Sequence, residues 1–230
     1  LHRTRALLVR QRTMTVNALR AHLAEFGIVT AKGIGQVPEL VARAFGESHA
    51  TAEIPAIARS AMAPLVAQIS ELAKQIHQID KELLAWHKTN QASQRLATIP
   101  GVGLVTATAL AATVADPLHF KSGRQFAAWL GLTPRQNSSG GKDRLGSISK
   151  MGDRYLRTLL IIGATGVIRY ARTSASVRGA WISSLLAKKP ARLVSVALAN
   201  KTARIAWALL ARGEVYRLPQ AAGHELTAVA

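Results

Sequence analysis

The chain has 230 residues, 49% of them apolar, enough for one generous core or two small ones. Its 30 Lys and Arg against 12 Asp and Glu give a formal charge of +18, far beyond what solubility needs, and a field of that sign recruits polyanions. No cysteine occurs, which excludes disulfides, thiolate metal sites and a cysteine nucleophile and fits a reducing, cytoplasmic setting.

The charge is unevenly placed. Residues 121–212 hold 17 Lys and Arg against Asp143 and Asp153, whereas the rest of the chain holds 13 basic and 10 acidic residues. One region therefore carries the polyanion signal, and nucleic acid is its first expected partner. The longest uncharged stretch, Leu96 to Ala115, is broken by Pro100, Gly101 and Gly103, so no membrane span and no membrane partner is expected. Leu1 to Arg12 is basic without a following apolar block, unlike a secretory signal.

In chain order, Leu1 to Phe26 reads as an amphipathic helix with Leu8, Leu19, Leu23 and Phe26 among arginines, ended by Gly27. A linker at Lys32 to Gly35 and a short helix around Pro38 to Phe45 follow. Met62, Leu65, Ile69, Leu72, Ile76, Ile79, Leu83 and Trp86 then alternate steps of three and four, the seam of a coiled coil. One long helix packed on its own domain satisfies the same pattern, and an intermolecular seam would make the protein a homo-oligomer.

Residues 96–116 are two helical runs joined by Ile99-Pro100-Gly101-Val102-Gly103, the form of a helix-hairpin-helix turn in which Gly101 and Gly103 let backbone approach a phosphate. A tight bend between packed helices is the alternative. Ser122 and Gln125 form a capping box for a helix through Phe126 and Trp129. Residues 131–152 show no apolar period and no strand pattern. They contain five glycines, four serines and four basic residues, and read as a long functional loop. Helices are predicted from Asp153, acting as cap, to about Arg172, from Ser176 to Lys188, and from Pro190 to Gly213. The tail from 214 is expected to be disordered.

The loop and the helical turn after it gather Arg135, Lys142, Arg144, Lys150, Arg154 and Arg157 around Asn137, Ser138, Ser139, Gly140 and Gly141. Cations neutralise phosphates and a serine among flexible residues can present its hydroxyl to one, although a loop serine is more often a turn or cap residue. The seven histidines are scattered, and the two acidic residues of the region do not make a metal site. No metal or cofactor is expected on this chain. Trp129, Trp181 and Trp207 fall on helical faces and read as core.

Three stretches carry a resemblance: IPGVGLVTATALAATVAD, then FKSGRQFAAWLGLTPRQNSSGGK, then ISKMGDRYLRTLL. Together they resemble the C-terminal domain of transposases of the insertion-sequence 110/116/902 family, strongly over residues 96–172 and weakly to Gly213. The resemblance implies DNA transposition by site-specific recombination, with an N-terminal RuvC-like domain bearing an Asp-Glu-Asp-Asp site for Mg2+ and a C-terminal domain bearing a nucleophilic serine. Some members are guided by a structured bridge RNA, which makes RNA a second expected partner. The family's serine follows the G-L-T-P-R string and precedes a glycine, a register that falls on Ser139. The RuvC-like carboxylates have no counterpart here, so the chain is expected to be either a piece of something longer or the product of a decayed element, and inactive alone.

The expected fold is all-α. Residues 1–52 form a helical remnant and linker, 53–92 a coiled-coil helix, 95–213 a compact DNA-binding transposase domain, and 214–230 a tail. The expected setting is the bacterial cytoplasm at the nucleoid. The competing function is a non-catalytic helix-hairpin-helix protein that binds DNA or RNA.

Overall fold

The computed structural model describes residues 1–46, 54–142, 144–171 and 177–217. Among these the structure is helical apart from two short strands, in agreement with the expected class. Asp143 and most of the tail lie outside the described residues. The chain divides into two compact units, Leu1–Leu83 and Leu84–Ala230.

In the first unit α1 (His2–Glu25), α2 (Val37–Phe45) and most of α3 (Ala56–Thr89) share one core. Leu19, Leu23 and Leu40 are fully buried and meet Met62 and Ile69 of α3. Arg5, at the other end of α1, donates to Asp80 at 2.6 Å, so the two long helices run antiparallel. The three-four alternation explains this geometry: it lays one apolar stripe along α3, and Met62, Ile69, Leu72, Ile76, Ile79 and Leu83 of that stripe are all buried within the single chain. Each contributes about 1.5–3 kcal/mol of burial. α1 ends at Gly27, whose φ of 74° breaks the helix as the sequence predicts.

The second unit holds α4 (Gln91–Ala97), α5 (Leu104–Thr113), α6 (Gly123–Trp129), α7 (Arg154–Ala171), α8 (Val177–Leu186) and α9 (Ala191–Arg212). Asn90 caps α4 and Asp153 caps the start of α7, each side chain accepting a backbone N–H at 2.8 Å. Ser122 caps α6 by accepting from the Gln125 amide at 3.3 Å, while the Gln125 side chain accepts from the Lys121 N–H. The capping box thus closes one residue earlier than its usual form. Gly213, left-handed with φ 70°, ends α9.

α9 is the hub of this unit. Its Ala199, Ala203 and Ala206 are completely buried and, lacking bulk, let α6 and α7 pack close to it around Phe126, Leu130, Leu156 and Leu160. By length and composition alone α9 could cross a membrane. Its hydropathy instead comes from a stripe packed into this core, and its other side bears Lys201 and Arg204, both exposed.

The strands correct the reading of 131–152 as an irregular loop. β1 (Pro134–Gln136) pairs antiparallel with β2 (Leu145–Ile148), Pro134 opposite Ile148 and Gln136 opposite Leu145. Two residues on β1 span three on β2, so the ribbon carries a bulge.

Candidate nucleic-acid interface around Ser139

The ribbon is closed by Ser139-Gly140-Gly141-Lys142. The Lys142 N–H donates to the Ser139 carbonyl at 3.1 Å, and Gly140 and Gly141 have φ of 58° and 76°. Two successive positive φ angles are the mark of a type I′ turn, the tight connection whose twist matches that of paired strands, and glycine adopts them at no steric cost. Ser139 therefore stands at the tip of a defined hairpin, exposed, its hydroxyl without a hydrogen-bond partner among the described residues. Ser138 differs. Its hydroxyl accepts the Arg144 backbone N–H at 3.1 Å and the Gln136 side-chain amide at 3.4 Å, which ties the two strands together.

The cations distribute along the same ribbon. Lys142 lies directly across from Ser139, and Arg144 sits across from Asn137, whose N–H donates to the Arg144 carbonyl at 2.8 Å. Arg135 on β1 is exposed and donates to the Ser149 carbonyl at 3.2 Å. Lys150 and Arg154 are exposed where the ribbon returns to α7. Lys150 is the one described residue other than glycine with positive φ, at 57°.

Arg157 departs from the expected set. It is 8% exposed and its guanidinium donates to the Leu130 carbonyl at 2.9 Å, so it faces the core and is unavailable to a phosphate. The reason lies in its register: with Leu160, Ala164 and Ile168 it falls on the buried stripe of α7. That periodicity is the signal that sequence reasoning passed over. Asn200 of α9 donates in the same way to the Leu132 carbonyl at 3.1 Å. The two side chains pin the root of the hairpin, residues 130–132, to α7 and α9.

The turn between α4 and α5 is also differently used. A side chain on Gly101 would meet the Gly163 carbonyl at 2.9 Å and Val167 at 2.8 Å, so Gly101 is required for contact between this turn and α7. It serves the bend between packed helices. Gly103 has open space at its Cβ position and stands before α5, but no Lys or Arg occurs in the turn.

Two of the three tryptophans are less buried than predicted. Trp129 is 39% exposed at the edge of a cluster with Phe120 and Phe126, and Trp181 is 37% exposed. Trp207 donates its indole N–H to the Pro117 carbonyl at 2.9 Å. Among the described residues no group of three or more His, Asp or Glu side chains gathers; the resemblance implies magnesium at a RuvC-like domain.

The helical unit thus holds out an exposed basic hairpin whose tip serine has no hydrogen-bond partner among the described residues. Residues 93–178 match the transposase IS116/IS110/IS902 family, and the chain belongs to that family. It is similar to a putative transposase of Sinorhizobium fredii, 45% identical over 97% of this chain and 56% of that protein. A probable family 20 transposase of Pseudomonas aeruginosa is 43% identical over 94% of this chain and 64% of its own length. The transposase for insertion sequence element IS1328 of Yersinia enterocolitica is 38% identical over 94% and 63% respectively. The chain thus spans between about half and two thirds of the length of these three relatives.

Proposed function

We propose that this chain is the part of a DNA transposase that grips DNA and supplies Ser139 as the nucleophile of strand cleavage and exchange. The observation that carries the reading is the contrast at the hairpin tip. Ser138 spends its hydroxyl holding the two strands, whereas Ser139 is exposed and has no partner among the described residues, with Lys142 opposite it and Arg135 and Arg144 on the same ribbon. Cations at that position offset the phosphate charge that would otherwise repel an attacking oxygen, and they stabilise the charge that develops as it attacks. In the reaction the Ser139 Oγ–P bond forms as a phosphodiester P–O bond breaks. The hydroxyl proton leaves Ser139, and the released sugar oxygen gains a proton. The phosphoserine ester conserves the broken bond until a freed sugar hydroxyl displaces the serine.

Lysine and arginine stabilise charge but do not deprotonate a hydroxyl near neutral pH. The chain by itself is therefore expected to bind DNA without cutting it, the remaining groups coming from the RuvC-like domain that the family resemblance implies, with its magnesium and any guide RNA. Self-association belongs to the same reading, since strand exchange joins more than one DNA end.

The test is complementation. A RuvC-like half from a relative, added with magnesium and its guide RNA, is expected to restore cleavage and a detergent-resistant protein–DNA adduct. Ser139→Ala should abolish that adduct while DNA binding survives. Ser138→Ala should reduce it less, through a looser hairpin. Loss of the adduct in Ser138→Ala but not in Ser139→Ala would shift the nucleophile by one residue, and retention in both would reject the serine mechanism.

A further inference from the structure

Beside the root of the hairpin, α6, α8 and α9 enclose an open groove of about 820 Å3. Its floor is apolar, with Ala197, Ile205 and Ala208 of α9, and Trp181 of α8 forms part of its wall. Three cations line it: Arg124 of α6, and Lys201 and Arg204 of α9, all exposed. No carboxylate lines it among the described residues, and none of the three cations has an ion-pair partner there. Gly123 presses against the Arg204 backbone, where an added Cβ would come within 3.0 Å of the carbonyl, and this contact brings Arg124 and Arg204 to the same groove. Lys201 rests over the Trp181 ring, its Nζ 4.2 Å from the centroid. Three exposed like charges beside an apolar floor, with no counter-ion among the described residues, favour an anionic occupant.

We propose that this groove binds an unpaired DNA strand, with one base stacked on Trp181 and the neighbouring phosphates held by Arg124, Lys201 and Arg204. The inference rests on the DNA-binding reading above and adds a second site to it. The choice of an unpaired strand follows from the shape and the indole. A cleft of this volume is in the range of small-ligand sites, roughly 300–1,000 Å3, and takes a few nucleotides but not a duplex. In a duplex the base faces are already stacked on one another, whereas an unpaired base has a face free for an aromatic ring. Lys201 occupies the indole only as a loosely held cation, and moving it to a phosphate would expose the ring to the base. An acidic peptide would satisfy the cations but has no planar group for Trp181. Asn200 lines the same groove and holds the Leu132 carbonyl at the hairpin root, so a strand lying there would run next to the element that carries Ser139.

The experiment is fluorescence anisotropy of the full chain with a labelled twelve-nucleotide oligothymidine, the matching duplex and an oligouridine of the same length. Trp181→Ala should weaken oligothymidine binding about tenfold, Trp181→Phe far less because a ring remains, and duplex affinity should change less than twofold. Lys201→Ala and Arg204→Ala should each weaken the single strand as well. Thermal melting of each variant reports whether the unit is still folded, and Lys201→Ala and Arg204→Ala, at exposed positions, carry the comparison of single strand with duplex if Trp181→Ala is not. Unchanged oligothymidine binding in Trp181→Ala would overturn the proposal, as would equal losses for single strand and duplex. So would oligouridine binding more than tenfold tighter than oligothymidine, or displacement of the oligonucleotide by a glutamate-rich peptide of equal charge at the same concentration. If neither DNA form binds the unaltered chain, the DNA-binding reading itself falls. If duplex binds and Arg144→Ala weakens it while the groove variants are silent, the groove assignment alone falls.

Discussion

Two neighbouring serines and two arginines three residues apart show how much position decides. Ser138 and Ser139 are chemically identical, yet one is a strand tie and the other, where the type I′ turn begins, is exposed with no hydroxyl partner among the described residues. Arg154 and Arg157 differ by less than one helical turn, and that rotation takes the guanidinium from solvent into the core. Arg157→Ala is expected to destabilise the second unit by about 2–3 kcal/mol, since it removes the donor from the Leu130 carbonyl and leaves a cavity. Arg154→Ala should change stability by no more than about 0.5 kcal/mol. Calorimetric melting of the two variants checks both. An unaltered melt in Arg157→Ala together with weakened DNA binding would return Arg157 to the phosphate contacts.

Elements with a strong local signal were legible before any coordinates. The stripe on α3, the caps Ser122 and Asp153, and the stops at Gly27 and Gly213 follow from a 3.6-residue period and from side chains that satisfy helix ends. The hairpin was not legible as strands, because Pro134 to Lys142 is exposed throughout and a ribbon with no buried face shows no alternation of apolar and polar residues. Its one available signal was Gly140-Gly141, a preferred pair for a two-residue hairpin turn. What covers the stripe on α3 was equally beyond the pattern, since a seam looks the same whether its partner belongs to the same chain or another. Here Met62 and Ile69 of the stripe share a core with α1 and α2. Ile76 is 4% exposed, and Ile76→Asp should cost the first unit roughly 3 kcal/mol or more by burying an unpaired charge. Melting combined with light scattering tests this. A fall in molecular mass with an unaltered melt would make the seam intermolecular.

At the scale of the whole molecule the charge asymmetry has a measurable counterpart. If about six phosphates are contacted through Lys and Arg, log K against log salt for duplex DNA should slope near −5, and Arg144→Ala should make it shallower by about one. A flat response would remove the polyanion reading altogether. The salt slope reports on the cations but not on α9, which serves two purposes at once. Its alanine face organises the core of the second unit, and its outer face lines a cationic groove. Folding and occupancy of that face are consequently linked equilibria. An anion that binds only the folded form adds RT ln(1 + [L]/Kd) to its stability, about 2.7 kcal/mol at a hundredfold excess over Kd. The resistance of this unit to proteolysis in a cell would then depend on how much ligand surrounds it, and the unit would be most vulnerable to degradation when unoccupied.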